Sequence, residues 1–250
     1  MSADQPNSGA AAQPAFALPE AIHENSPEAL VAAAGDPGLS EDLALTLLKR
    51  SDLPGEVLER LSKNGAAIKS RKVKLALVEH PMTPRHISFP LVRHLFTFDL
   101  MQIALMPVVP ADVKAVADQA LLNLMETISS GERLSLAHRA SGRVAGDLLL
   151  DGEARIIHAA LENSRLTEAG VVKAVLRSDA TPILIQAVCH HSKWSLRREV
   201  RMALLRNQHT PMARAMEFAR SLPVPVVREL LHGSRLPVNV KEYLLNAITS

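Results

Sequence analysis

The chain has 250 residues and a formal net charge of +2, with 47% apolar but only 3% aromatic side chains. A balance so near neutral gives no reason, from charge alone, to expect a nucleic-acid or membrane partner. The single cysteine, Cys189, excludes an internal disulfide framework and a cysteine-only metal site. A core this poor in rings must be filled by Leu, Val, Ala and Ile, which suits closely spaced helices better than a sandwich or a barrel.

Residues 1–18 are rich in Ala, Ser, Gln and Pro, with Asp4 the one charged side chain, and are expected to form a disordered tail. They lack a basic start and a sustained apolar run, so no secretory signal is expected. No later stretch approaches the roughly 18 apolar residues needed to cross a bilayer. The expected location is the cytoplasm, and residues 19–250 are expected to form one continuous helical array.

From residue 27 onward a punctuation recurs: a small or polar residue, one variable residue, an apolar residue or Thr, and then Ser, Thr or Pro. It reads Pro37-Gly38-Leu39-Ser40, Pro81-Met82-Thr83-Pro84 and Pro107-Val108-Val109-Pro110. It returns as Ser164-Arg165-Leu166-Thr167, Ser192-Lys193-Trp194-Ser195, Gln208-His209-Thr210-Pro211 and Ser234-Arg235-Leu236-Pro237. Ser or Thr can accept a bond from an orphan N–H of the following turn, and Pro is preorganised for a helix start. Each mark therefore stops one helix and begins another.

Helices are expected near 27–34, 41–50, 54–63, 69–80, 84–96, 98–106 and 110–125. After a joining segment (121–153), with a capping box from Ser129 to Glu132 and short helices near 132–140 and 142–150, they recur. The second set falls near 154–162, 168–178, 182–190, 196–206, 211–222, 225–232 and 237–249. Apolar spacing favours helix over strand: Val73, Ala76, Leu77 and His80 stand at i, i+3, i+4 and i+7, as do Val200, Ala203, Leu204 and Asn207.

The marks end at 40, 84 and 110, and then at 167, 195, 211 and 237. Subtracting 127 from the second group gives 40, 68, 84 and 110. Only Ile68 lacks a mark, and Asn64-Gly65 signals a turn just before it. Residues 154–247 slide onto 27–120 without a gap, with about 19 of 94 positions identical. Among these are Arg50-Ser51-Asp52 against Arg177-Ser178-Asp179 and Thr83-Pro84 against Thr210-Pro211. An internal duplication at offset 127 is the expectation, with copy one at 27–120 and copy two at 154–247.

The segments Val73-Lys74-Leu75-Ala76-Leu77-Val78 and Val200-Arg201-Met202-Ala203-Leu204-Leu205, each ahead of a turn and a Thr-Pro, resemble HEAT-like repeats and the leucine-rich-variant repeats of bacterial proteins. The resemblance spans 27–249 and implies an all-α tandem-repeat solenoid. The spacing is less regular than in a simple repeat family. The cysteine cluster of some leucine-rich-variant proteins is missing, so no iron–sulfur site is implied.

The usual phosphate-loop, dinucleotide, nucleophile-elbow and zinc-protease motifs are absent from the sequence. No cofactor, metal or catalytic residue is expected. His190-His191 point about 100° apart on a helix, which is poor for joint chelation. His80, His86 and His94 lack an acidic or thiolate partner. Cys189 reads as a buried structural thiol.

Basic residues cluster where helices begin: Lys69, Arg71, Lys72 and Lys74, and again Arg197, Arg198 and Arg201. Arg71/Arg198 and Lys74/Arg201 are equivalent under the offset, and each pair lies three residues apart on one helix face. With Trp194, read either as a plug beneath a helix start or as an exposed hot spot, they form the candidate binding surface. The structural alternative for these cations is a ladder with neighbouring carboxylates.

Three functions compete. The first is a non-catalytic scaffold for a protein or peptide. The second is a nucleic-acid binder touching phosphates through the basic faces. The third and remotest is a helical-repeat DNA glycosylase, which a lone Trp194 serves poorly.

Overall fold

A computed structural model describes residues 18–23 and 26–249, and among these every regular element is helical. The predicted tail lies outside the described residues except for Leu18, which opens the first helix. The elements are α1 (Leu18–Ala21), α2 (Pro27–Gly35), α3 (Glu41–Leu48), α4 (Gly55–Ser62), a 3-10 turn at Ala67–Lys69, α5 (Arg71–Glu79), α6 (Arg85–Val92), α7 (Thr97–Leu105) and α8 (Ala111–Leu124). They continue with α9 (Ser130–Arg139), α10 (Gly142–Leu148), α11 (Ala154–Leu161), α12 (Glu168–Leu176), α13 (Pro182–His190), α14 (Arg198–Leu204), α15 (Met212–Arg220), α16 (Val224–His232) and α17 (Val238–Thr249). No helix among the described residues is long and apolar enough to cross a membrane.

The helix starts follow the sequence marks. Ser40 Oγ accepts from Leu43 N at 3.3 Å, and Thr167 Oγ1 accepts from Gly170 N at 3.1 Å. The Ser129–Glu132 capping box closes in both directions, at 3.3 and 3.0 Å. Each first residue of α2 to α8 recurs, 127 residues later, as the first residue of α11 to α17. Two starts differ from expectation. Ser70 caps α5 after the 3-10 turn, accepting from Val73 N at 3.4 Å, and α14 begins three residues beyond Ser195, at the register of α5.

The chain divides into two compact units, one running to Leu95 with Val108–Val113, the other holding Phe96–Pro107 and the chain from Lys114 onward. In the first unit α2 packs on α4 and α3 on α5. Their buried stripes, such as Val57, Leu58 and Leu61 against Leu30, Ala33 and Ala34, build one apolar core. In the second unit α9, α11 and α13 pack in succession, as do α10, α12 and α14, giving two layers of alternate helices.

Same-layer neighbours are joined at their C-terminal ends by side chains. The last carbonyls of a helix have no intrahelical donor, and no described residue adopts a positive φ, so left-handed caps are not used. Instead, a residue just past α4, α5, α11 and α14 reaches back. Asn64, after α4, donates to Ala34 O and Asp36 O at the end of α2 (3.0 and 2.8 Å), and accepts from Ala66 N and Ala67 N (3.0 and 3.2 Å). Asn163, after α11, donates to Ala137 O and Ala140 O at the end of α9 (2.8 and 3.2 Å) and accepts from Arg165 N (2.8 Å). Asn207, after α14, donates to Val175 O of α12 and accepts from His209 N, at 2.8 and 2.9 Å.

His80, after α5, does the same with an imidazole. Nε2 meets Arg50 O at 2.8 Å and Nδ1 faces Met82 N at 3.3 Å. A carbonyl only accepts and an amide N–H only donates, which assigns the ring proton to Nε2.

Other bonds recur at the same offset. Thr83 Oγ1 donates to Leu77 O and Thr210 Oγ1 to Leu204 O, both at 2.6 Å. Arg50 pairs with Asp52 and Arg177 with Asp179, at 3.0 and 2.7 Å. In the second unit, Ser141 at the start of α10 donates to the buried Asp118 carboxyl at 2.7 Å, and burial pushes that carboxyl above its usual range. Gly142 marks a close approach: a Cβ there would stand 2.2 Å from Arg165 O.

Removing a buried amide that serves three or four backbone groups leaves them orphaned, which costs about 1–3 kcal/mol. Asn163→Ala is expected to lower the thermal midpoint by several degrees, measured by circular dichroism, whereas Ser164→Ala, at an exposed neighbour, leaves it unchanged.

Candidate functional site

Arg71 and Lys74 lie on α5, in the first unit. Arg198 and Arg201 lie on α14 in the second, with Trp194 in the turn before it. Arg71 and Arg198, the first residues of their helices, are both exposed, while Lys74 and Arg201 are half-buried.

Arg201 is turned inward. Its Nε donates to Ser195 O at 2.7 Å, and its guanidinium lies 5.6 Å from the Phe218 ring centre. Arg214 approaches the same ring at 4.9 Å, donates to Cys189 O and pairs with Glu217. Lys241 and Lys114, which also follow a valine, return to the loop before their own helices, at Ser234 O (2.9 Å) and Pro107 O (3.5 Å). In Arg201, Lys241 and Lys114 the basic residue after the valine thus fastens the preceding loop.

Carboxylates do neutralise other cations of the first unit. Lys72 pairs with Glu41 at 2.8 Å, Lys63 with Glu59 at 2.8 Å, and Arg85 with Asp112 at 2.5 Å. The Lys72 ammonium and then the Ser70 hydroxyl hold the Glu41 carboxyl below the usual range.

Trp194 belongs to the interior and not to the binding surface. It is 2% exposed, and its Nε1 donates to Leu161 O, the last carbonyl of α11, at 2.8 Å. Lys193 Nζ covers the ring, 4.0 Å from its centre. The segment 192–196 forms a turn before α14, as the 3-10 turn at Ala67–Lys69 does before α5 at the same offset. The same turn leaves Leu196 68% exposed, with Arg197 and Arg198 exposed beside it. Neither arginine makes a side-chain hydrogen bond or ion pair within the described residues. Lys193 and Leu196 were not singled out from sequence. The available signal was charge density, six basic residues and one acidic between 190 and 216.

Two of the histidines, His80 and His190, are bonded to backbone atoms, while His86 and His94 are exposed. His80 uses both ring nitrogens, and His190 Nδ1 lies 2.9 Å from Gln186 O of its own helix. Among the described residues no three His, Cys, Asp or Glu side chains converge as a metal site would require. Grooves open between same-layer neighbours: one of about 620 Å³ between α2 and α4, lined by ionic side chains such as Glu56, Glu59 and Arg60, and one of about 500 Å³ between α11 and α13, lined by His158, Ile183 and His190.

Compared with known proteins, the chain matches no family model, no curated protein and no solved structure.

Cys189 is fully buried on α13, and burial pushes its thiol up to about 11. Since the thiolate is the reactive form, the folded protein is expected to resist a thiol-specific chromogenic reagent at pH 8 and to react with one equivalent once denatured. Fast labelling of the folded chain would contradict this burial.

Proposed function

We propose that the chain is a HEAT-like helical-repeat scaffold, made by copying one segment at an offset of 127 residues, and that it works by binding a protein or peptide without chemistry of its own. The shared offset of seven helix starts, the matched Thr83/Thr210 bonds and the matched Arg50–Asp52 and Arg177–Asp179 pairs support the duplication. Alternate-helix packing supports a solenoid, in which each repeat is stabilised by its neighbours. On this reading residues 19–250 form one array. The packing of α9 on α11 and α10 on α12 supports a joining segment that continues the stack. A buried free cysteine suits a reducing cytoplasm.

The observation that carries the binding role is the pair Arg71 and Arg198: the same residue, at the same register, exposed at the start of two corresponding helices. Arg198 makes no side-chain hydrogen bond or ion pair within the described residues, so a charge there, which opposes the helix dipole, has a use other than helix stability. The protein or peptide reading also rests on fold analogy, since helical arrays present long surfaces. Phosphate binding is the second reading, favoured by the same two arginines.

The test is affinity capture from a nuclease-treated lysate with the wild-type chain and with Arg71→Glu/Arg198→Glu. The expected result is a polypeptide retained by the wild type and lost from the variant. Retention of no polypeptide, together with salt-dependent binding of duplex DNA, would replace this reading with the second one.

A further inference from the structure

The two basic stretches differ in how their charge is used. In the first, Lys63, Lys72 and Arg85 are matched by Glu59, Glu41 and Asp112. At the same offset the second stretch keeps Glu168 for Glu41 but carries Gln186 for Glu59, Asn239 for Asp112 and Arg206 for Glu79. Its own arginines are not all available either, because Arg201 and Arg214 are turned onto backbone carbonyls and the Phe218 ring. What remains outward is Arg206 on the far side of α14 in sequence and, beside Leu196 on the 192–196 turn that Trp194 anchors from below, Lys193, Arg197 and Arg198.

Two features of this patch point to a protein ligand. A leucine 68% exposed among cations gains by covering its apolar surface, which a phosphate backbone does not provide. The one tryptophan, which could have stacked on a base, is buried with its N–H bonded. Apolar contact ringed by arginine is the composition of a protein–protein interface.

We infer that the 192–198 turn of the second unit is the seat for an acidic segment of a protein partner, one that lays an apolar side chain on Leu196 and carboxylates on Arg197 and Arg198. This rests on the scaffold reading and names the chemistry of its partner. The first-unit counterpart, with Lys69 and Ser70 in place of Leu196 and Arg197, is not an equivalent seat, because Ser70 is engaged by Glu41 at 2.7 Å.

The test is fluorescence anisotropy with the full chain and three labelled probes: a short Glu-Leu copolymer peptide, polyglutamate of equal charge, and duplex DNA. The Glu-Leu peptide is expected to bind most tightly. Its affinity falls about tenfold or more in Arg197→Glu/Arg198→Glu and several-fold in Leu196→Ser, and is unchanged in Lys49→Glu, at an exposed cation of the first unit. These side chains are exposed, so thermal midpoints stay at the wild-type value, and Arg197→Gln/Arg198→Gln shows an intermediate loss. Glu-Leu binding that ignores all three positions overturns the seat while leaving the scaffold reading in place. Equal binding of polyglutamate or DNA with no effect of Leu196→Ser overturns it in favour of unspecific attraction. If none of the probes binds and the capture experiment also retains no polypeptide, both readings fall.

Discussion

Helices of seven to nine residues hold together here because a side chain just past one helix closes the open end of its neighbour. Alone, such helices are marginal, since nucleation is costly and few bonds follow it. Each also ends with unpaired carbonyls that cannot be buried unbonded. Asn64, Asn163, Asn207 and His80 meet both demands: one end of the side chain fixes its own turn while the other bonds a same-layer helix about thirty residues earlier. Trp194 does the outer half of this with an indole N–H. Neighbouring helix ends and turn geometry are thereby tied together by the same side chains.

Much of this architecture was legible in the chain. Where a mark ended in Ser40 or Thr167 the hydroxyl caps the helix, and the capping box at Ser129 and Glu132 forms as spaced. Such signals work because cap and helix lie within three residues of each other. The long-range bonds were not legible. Asn64 reads as a turn residue, and nothing local says that its amide will meet Ala34 O. Ser195 does not cap α14, because the segment 192–196 is a turn and the helix begins at Arg198, the same register at which α5 begins after its 3-10 turn.

The candidate surface was legible in part, for a related reason. Sequence places Arg71, Lys74, Arg198 and Arg201 on shared helix faces, but not which cations find partners. Arg201 finds Ser195 O and the Phe218 ring, while Arg198 remains outside. An aliphatic stem lets an arginine take either course. Of the three acids that neutralise first-unit cations, Glu59 and Asp112 are replaced at the offset by Gln186 and Asn239, while Glu41 is kept as Glu168. Binding is therefore proposed where the fold has left charge and an apolar side chain uncommitted.

The closing of one helix end by the next is most directly tested by native-state hydrogen exchange at the amides of Ala66, Arg165 and His209. Each lies in a loop and bonds to a side-chain oxygen, of Asn64, Asn163 or Asn207. If these side chains hold the layers together, the three amides exchange as slowly as the last helical turns they join. Exchange at the rate of an unstructured peptide would contradict the account.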